Sequence, residues 1–199
     1  AVKHPLIVVY APAGHNRFAS EVFVGLTEPA TAAGFIIAYA DSQRLSLPAI
    51  KRLSRLAELV AKKWCVDEKR VYLTGHSDGG TVANALAFLP DMPFRPRAIA
   101  PSAAGIRGVD MATQDCPEAL AVMTLQNDDD QLFPDYGREL ANWWARCNGC
   151  APAALPLSMR CESYPACGAD LETTLCTHPG AHSTWPDANA AILAFFRRN

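Results

Sequence analysis

Three short stretches carry side chains suited to acyl transfer. The first is Gly75-His76-Ser77-Asp78-Gly79-Gly80, which follows the apolar run Val71-Tyr72-Leu73 and leads into Thr81 to Phe88. A strand, a sharp turn centred on a serine and then a helix is the context in which G-x-S-x-G forms a nucleophile elbow. Gly75 and Gly79 have a steric role there, since a Cβ at either place would meet the neighbouring strand or helix. The helix that follows offers its positive dipole end and free N–H groups where negative charge develops during acyl transfer. A serine hydroxyl needs a base, and the base needs an acid that holds its tautomer. The acid is expected in Leu125 to Pro134, where Asp128, Asp129 and Asp130 are candidates, and the base in Thr177 to Pro186, where His178 and His182 are candidates. His76, inside the elbow, is expected to pack beside the nucleophile rather than titrate against it.

These stretches need a scaffold, and the chain supplies one. Pro5-Leu6-Ile7-Val8-Val9-Tyr10 is a nearly continuous apolar run closed by Pro12, Gly14 and Asn16, as in a parallel strand buried on both faces. Phe18 to Ala33 reads as helix in pieces, interrupted at Pro29, and Phe35 to Ala40 as a second buried strand. Ser46 is an N-cap for one amphipathic helix carrying Leu47, Ile50, Leu53, Leu56, Ala57 and Val60. Further strands are expected at Arg97 to Ala100 and Ala119 to Leu125, with Pro101 to Asp115 a loop between them. Tyr136 to Cys147 is a helix, Ala151 to Gly168 an irregular excursion, and a last strand falls within Asp170 to Cys176. A closing helix from Asp187 turns Ile192, Leu193, Phe195 and Phe196 inward. Alternating β and α elements predict an α/β fold with a mostly parallel sheet and helices on both faces.

At 199 residues, half of them apolar, the chain suits one domain over residues 1–199. A net charge of −2 and the lack of a Lys/Arg run argue against nucleic acid or anionic membranes as partners. No apolar stretch approaches the ~20 residues that span a bilayer. Seven cysteines, with Cys147, Cys150, Cys161, Cys167 and Cys176 crowded into the last third, suggest disulfides and hence a secreted or periplasmic protein. The odd total leaves at least one thiol unpaired in a monomer. A competing reading makes Cys147, Cys150, Cys176, His178 and His182 a zinc site.

The chain resembles the secreted α/β-hydrolase esterases of the polyhydroxybutyrate depolymerase and feruloyl esterase group over nearly its whole length. Val66 to Gly80 is similar to that group's VDPxRVYxTGxSxGG stretch. Asp130 to Pro134 resembles its D-x-x-V-P turn with Phe133 in place of valine, and Ala181 to Pro186 its G-H-x-W-P element with Ala181 for glycine and one extra residue. The resemblance implies an α/β-hydrolase fold without a large lid, a triad of Ser77, Asp130 and His182, and no metal or organic cofactor. The group's His-Gly pair after the first strand is here Ala11-Pro12, so the implied oxyanion donors are the backbone N–H groups of Ala13 and Asp78. Phe133, Tyr136 and Trp185 lie close in sequence to the acid and base and are candidates for lining a substrate pocket. The resemblance pairs Cys150 with Cys167; Cys65 with Cys116 is the other pair expected. The implied activity is hydrolysis of small-molecule or polymeric carboxylic esters of feruloyl, acetyl or hydroxyalkanoate type by a monomer. A different class stays open, a non-catalytic relative that serves as a binding protein.

Overall fold

The computed structural model describes residues 2–199. The strands are β1 (His4–Tyr10), β2 (Ile36–Tyr39), β3 (Val66–His76), β4 (Ala98–Ser102), β5 (Ala121–Asn127), β6 (Leu155–Pro156), β7 (Cys161–Ser163) and β8 (Thr173–His178). The α-helices are α1 (Arg17–Val24), α2 (Thr27–Ala32), α3 (Leu47–Leu53), α4 (Leu56–Ala61), α5 (Asp78–Phe88), α6 (Gly108–Met111), α7 (Tyr136–Cys147) and α8 (Asn189–Arg198). Among the described residues the strands form one sheet in the order β2-β1-β3-β4-β5-β8-β7-β6, parallel from β2 to β8 and antiparallel beyond.

Strand periodicity divides the core between the two faces. Leu6, Val8 and Tyr10 of β1 join Leu73, Ile99 and Val122 under α3, α4, α5 and α7. Ile7 and Val9 point the other way, with Tyr72, Ala100 and Met123, beneath α1, α2 and α8. Both sets are almost fully buried, which is why β1 reads as a continuous apolar run rather than an alternating one. The chain passes from β1 outward to β2 and returns on the other side of β1 as β3, so the strand order reverses between β1 and β3. In open α/β sheets the crevice outside the carboxyl ends of strands at such a reversal is where ligands bind. The elbow serine follows β3 at that place.

Several elements differ from expectation for local reasons. The Phe18 to Ala33 helix breaks at Gly25, which caps α1 in the left-handed region at φ 62° and donates its N–H to Glu21. Pro29 instead sits in the first turn of α2, where a missing N–H costs nothing. The expected single helix after Ser46 is two, because Ser54 Oγ donates to the Lys51 carbonyl and Arg55 N–H reaches Arg52, tightening the turn between α3 and α4. The expected Pro101 to Asp115 loop contains the end of β4 and the short α6. The irregular excursion carries the β6–β7 hairpin, which extends the sheet beyond β8.

Among the described residues, Cys150–Cys167 and Cys161–Cys176 staple this edge, and a third disulfide, Cys116–Cys147, ties the loop before β5 to the end of α7. The Cys65–Cys116 pairing is therefore corrected. Cys116 lies in the loop before β5 and reaches the end of α7, whereas Cys65 precedes β3 and is an exposed, unpaired thiol. Among the described residues no helix is long and apolar enough to cross a membrane.

Candidate active site

Ser77 stands between β3 and α5 with φ 56° and ψ −118°, a conformation that costs energy for any residue with a Cβ. Its neighbours make the turn possible. A Cβ on Gly79 would lie 1.9 Å from the Tyr10 carbonyl oxygen, and one on Gly75 2.5 Å from the same atom. The backbone N–H of Ser77 donates to the Ser102 carbonyl at 3.0 Å, tying the turn to the end of β4. The serine is 9% exposed, and its hydroxyl faces His182.

Ser77 Oγ lies 2.9 Å from His182 Nε2, and His182 Nδ1 lies 2.8 Å from Asp130 Oδ2. A carboxylate only accepts, so Nδ1 carries the proton, and in the neutral ring Nε2 is left to accept from the serine hydroxyl. Asp130 is fixed in turn. Its Oδ1 accepts the N–H groups of Leu132 and Phe133, both at 2.9 Å, and its Oδ2 also faces the Gln126 amide at 3.3 Å. The Asp130 side chain is wholly covered. Burial alone would push its carboxyl up, but the His182 hydrogen bond with the Phe133 and Leu132 N–H groups outweighs it and holds the group below the usual carboxylate range.

The structure distinguishes Asp130 from its neighbours. Asp128 is exposed and pairs with Arg160 at 2.7 Å, while its N–H donates to the His178 carbonyl. Asp129 is exposed and uses its N–H on the Gly180 carbonyl. His178 ends β8, beside Asp128 and Arg160, with burial lowering its pKa. Neither Asp128, Asp129 nor His178 hydrogen-bonds Ser77 or His182 by its side chain.

Ala13 lies in the turn after β1, where His15 N–H donates to the Pro12 carbonyl. Asp78 opens α5, whose first N–H groups have no carbonyl one turn back. Burial pushes the Asp78 carboxyl up. Phe133 meets the His182 ring edge to face, with centroids 4.8 Å apart, and Tyr136 stacks on Phe133 at 5.2 Å. Gly105 leaves room for that ring, since a Cβ there would lie 2.7 Å from Phe133 Cζ. Trp185 packs against Phe23 and His76, with its indole N–H donated to Asn189. All three aromatics are half-buried.

Sequence reasoning missed the residues that hold the histidine loop. The Asn127 amide donates to the carbonyls of Ala181 and Thr184, at 2.8 and 2.7 Å, on either side of His182. Gln126 receives the Gly137 N–H while its amide faces Asp130. Their position at the end of a buried strand, just before the acidic turn, is the signal that marks them. The zinc reading meets a direct obstacle, because Cys147, Cys150 and Cys176 are each half of a different disulfide.

No protein-family model matches the sequence, and no curated protein is similar to it. Solved structures are similar in shape. An acetyl xylan esterase from Aspergillus awamori superposes with a TM-score of 0.75 at 15% identity, over 99% of this chain and 90% of that one. Est1E from Butyrivibrio proteoclasticus gives 0.58 at 16% identity, over 98% and 86%. The fold is that of the α/β-hydrolases. A bifunctional GH43-CE protein of Bacteroides eggerthii shares the α/β-hydrolase shape with a TM-score of 0.68 at 13% identity, and this chain, 98% covered, spans about a third (34%) of its length. Within the α/β-hydrolase fold, Ser77 holds the elbow after β3, Asp130 follows β5, and His182 lies between β8 and α8.

Proposed function

We propose that this chain is a serine carboxylic-ester hydrolase working through Ser77, His182 and Asp130. The observation that carries the reading is the unbroken hydrogen-bonded chain from Ser77 Oγ through His182 to Asp130 on a strained elbow. His182 Nε2 takes the serine proton as Oγ attacks the ester carbonyl carbon. The oxyanion is held by the N–H groups of Ala13 and Asp78, the second of these backed by the positive end of α5. His182, now an imidazolium steadied by Asp130, protonates the departing alkoxide and leaves an acyl-enzyme. Water, deprotonated by His182, then attacks the acyl carbon, and the acid departs as Ser77 regains its proton. These steps require no metal and no organic cofactor.

The name of one structural neighbour, the acetyl xylan esterase from Aspergillus awamori, supports the reaction class. Feruloyl, acetyl or hydroxyalkanoate esters are the proposed substrates, with Phe133, Tyr136 and Trp185 beside the base as the lining. Three disulfides support an extracellular setting, and a single α/β-hydrolase domain acting as a monomer completes the proposal. No observation favours the non-catalytic reading. Turnover of a chromogenic short-chain ester tests the proposal: Ser77→Ala should abolish all but a residue of activity, on the order of a 10⁴-fold loss or more, and a loss below about 100-fold would contradict it.

A further inference from the structure

Two residues outside the triad, Ser102 and His76, form a chain between the backbones of Ser77 and His182. Ser102, at the end of β4, accepts the Ser77 N–H on its carbonyl at 3.0 Å. Its hydroxyl oxygen lies 3.0 Å from His76 Nδ1, and His76 Nε2 lies 2.5 Å from the backbone carbonyl of His182. The two histidine rings sit side by side, with centroids 5.3 Å apart, and Phe23 and Trp185 close around His76 at 5.3 and 6.1 Å.

The proton positions follow from the partners. A carbonyl oxygen only accepts, so His76 Nε2 must carry hydrogen. His76 is 2% exposed, and burial pulls its pKa down to about 4, so near neutral pH the ring holds one proton only. Nδ1 is then an acceptor, and the Ser102 hydroxyl donates to it. Each donor and acceptor in the relay has one consistent role, as a buried polar network requires.

We propose that His76 is a positioning residue, joined to Ser102 in a relay that locks the main chain of the nucleophile to the main chain of the base. The inference rests on the serine-hydrolase reading above. The elbow and the His182 loop come from stretches 105 residues apart, and the Ser77 to His182 hydrogen bond depends on their relative height to a fraction of an ångström. A displacement of about 1 Å at a reacting pair can cost on the order of 100-fold in rate. The Asn127 amide fixes the loop from the β5 side, and His76 fixes it from the elbow side. An apolar residue of the same size would fill the space but leave the half-buried His182 carbonyl without this donor.

The test compares His76→Phe, His76→Asn and His76→Gln in the full chain on one ester. Gln can return a donor to the place of Nε2; Asn reaches only the Ser102 side; Phe keeps the ring and neither bond. Positioning predicts that Phe and Asn lower kcat by about 10- to 100-fold with KM changed less than about twofold, and that Gln recovers most of the loss. His76→Phe should also melt a few degrees below His76→Gln, since only Gln returns the donor to the His182 carbonyl. A Phe variant with undiminished kcat, or a Gln variant as impaired as Phe, would overturn the proposal. If His76→Phe does not fold, Ser102→Ala alone and combined with His76→Asn decides instead: a shared relay gives strongly non-additive losses, and additive losses contradict it. Labelling of wild-type Ser77 by a fluorophosphonate separates the two levels. Absence of label overturns the hydrolase reading and this inference together, whereas label on wild type with an unimpaired Phe variant overturns this inference alone.

Discussion

Asp130 and His182 meet at 2.8 Å, with the aspartate entirely covered and its second oxygen saturated by two backbone N–H groups. That arrangement leaves the carboxylate no freedom to rotate and fixes which imidazole nitrogen is protonated. Asp130→Asn keeps the shape and removes the charge. It should lower kcat about 10⁴-fold with the fold retained. Asp128→Asn and Asp129→Asn, at exposed positions, should leave kcat within about twofold. Steady-state kinetics on all three variants would contradict the assignment if Asp128 or Asp129 proved the costly position.

The elbow also predicts an asymmetry among glycines. Gly79→Ala would force a Cβ to within 1.9 Å of the Tyr10 carbonyl, and backbone cannot yield as a flexible side chain can. Gly149 has φ +67° with nothing within 4 Å, so Gly149→Ala meets only backbone strain, about 1 kcal/mol. Chemical denaturation should find Gly149→Ala mildly destabilised and Gly79→Ala severely so or unfolded. Equal losses would contradict the close contact between β1 and α5.

Acid sensitivity should trace in part to His76. Burial holds its folded pKa at about 4 against an ordinary 6.5, so the folded protein favours the neutral ring. Below about pH 6.5 the unfolded chain takes up a proton that the folded one refuses until about pH 4; the His76 contribution to stability therefore falls across this window, by on the order of 3 kcal/mol, and is constant beneath it. His178, also lowered by burial, acts in the same direction. Asp130 is depressed instead, so its contribution persists above the ordinary carboxylate range and disappears only as pH falls through its lowered folded value. Denaturation of wild type and His76→Gln at about pH 7 and about pH 4 should show a smaller decline in the variant. Parallel declines would exclude His76 as the group responsible.

The cysteine pattern gives a count. Alkylation without reduction should modify one thiol, Cys65, and leave activity unchanged; after reduction and unfolding all seven should react. Replacing both Cys161 and Cys176 by serine opens a link over 15 residues and should cost about 3 kcal/mol. Because β7 flanks β8, and β8 leads to the His182 loop, the loss should reach turnover as well. Intact mass and thermal melting check both statements, and two or more reactive thiols in the native protein would contradict the pairing.

The strand, sharp turn and helix around Ser77 were legible because glycines at that spacing allow a turn too tight for a Cβ. The α/β pattern was legible because strands buried on both faces give unbroken apolar runs. Three adjacent aspartates could not be told apart by spacing alone; the resemblance singled out Asp130, and what distinguishes it physically is that its side chain turns inward while Asp128 turns out to Arg160. Asn127, Ser102 and the second bond of His76 were not legible, since they depend on which residues face each other across β3, β4, β5 and the His182 loop. The Cys116–Cys147 bond was missed for the same reason: α7 brings Cys147 back to the loop before β5, and nothing local to either cysteine records it.

Intact and peptide mass spectrometry after exposure to a fluorophosphonate tests the central proposal most directly. An activated Ser77 should take up one phosphonyl group, located on the peptide that spans the elbow, and His182→Ala should slow the reaction at least about 100-fold. A wild-type protein that stays unmodified, or that carries the adduct on another residue, would contradict it.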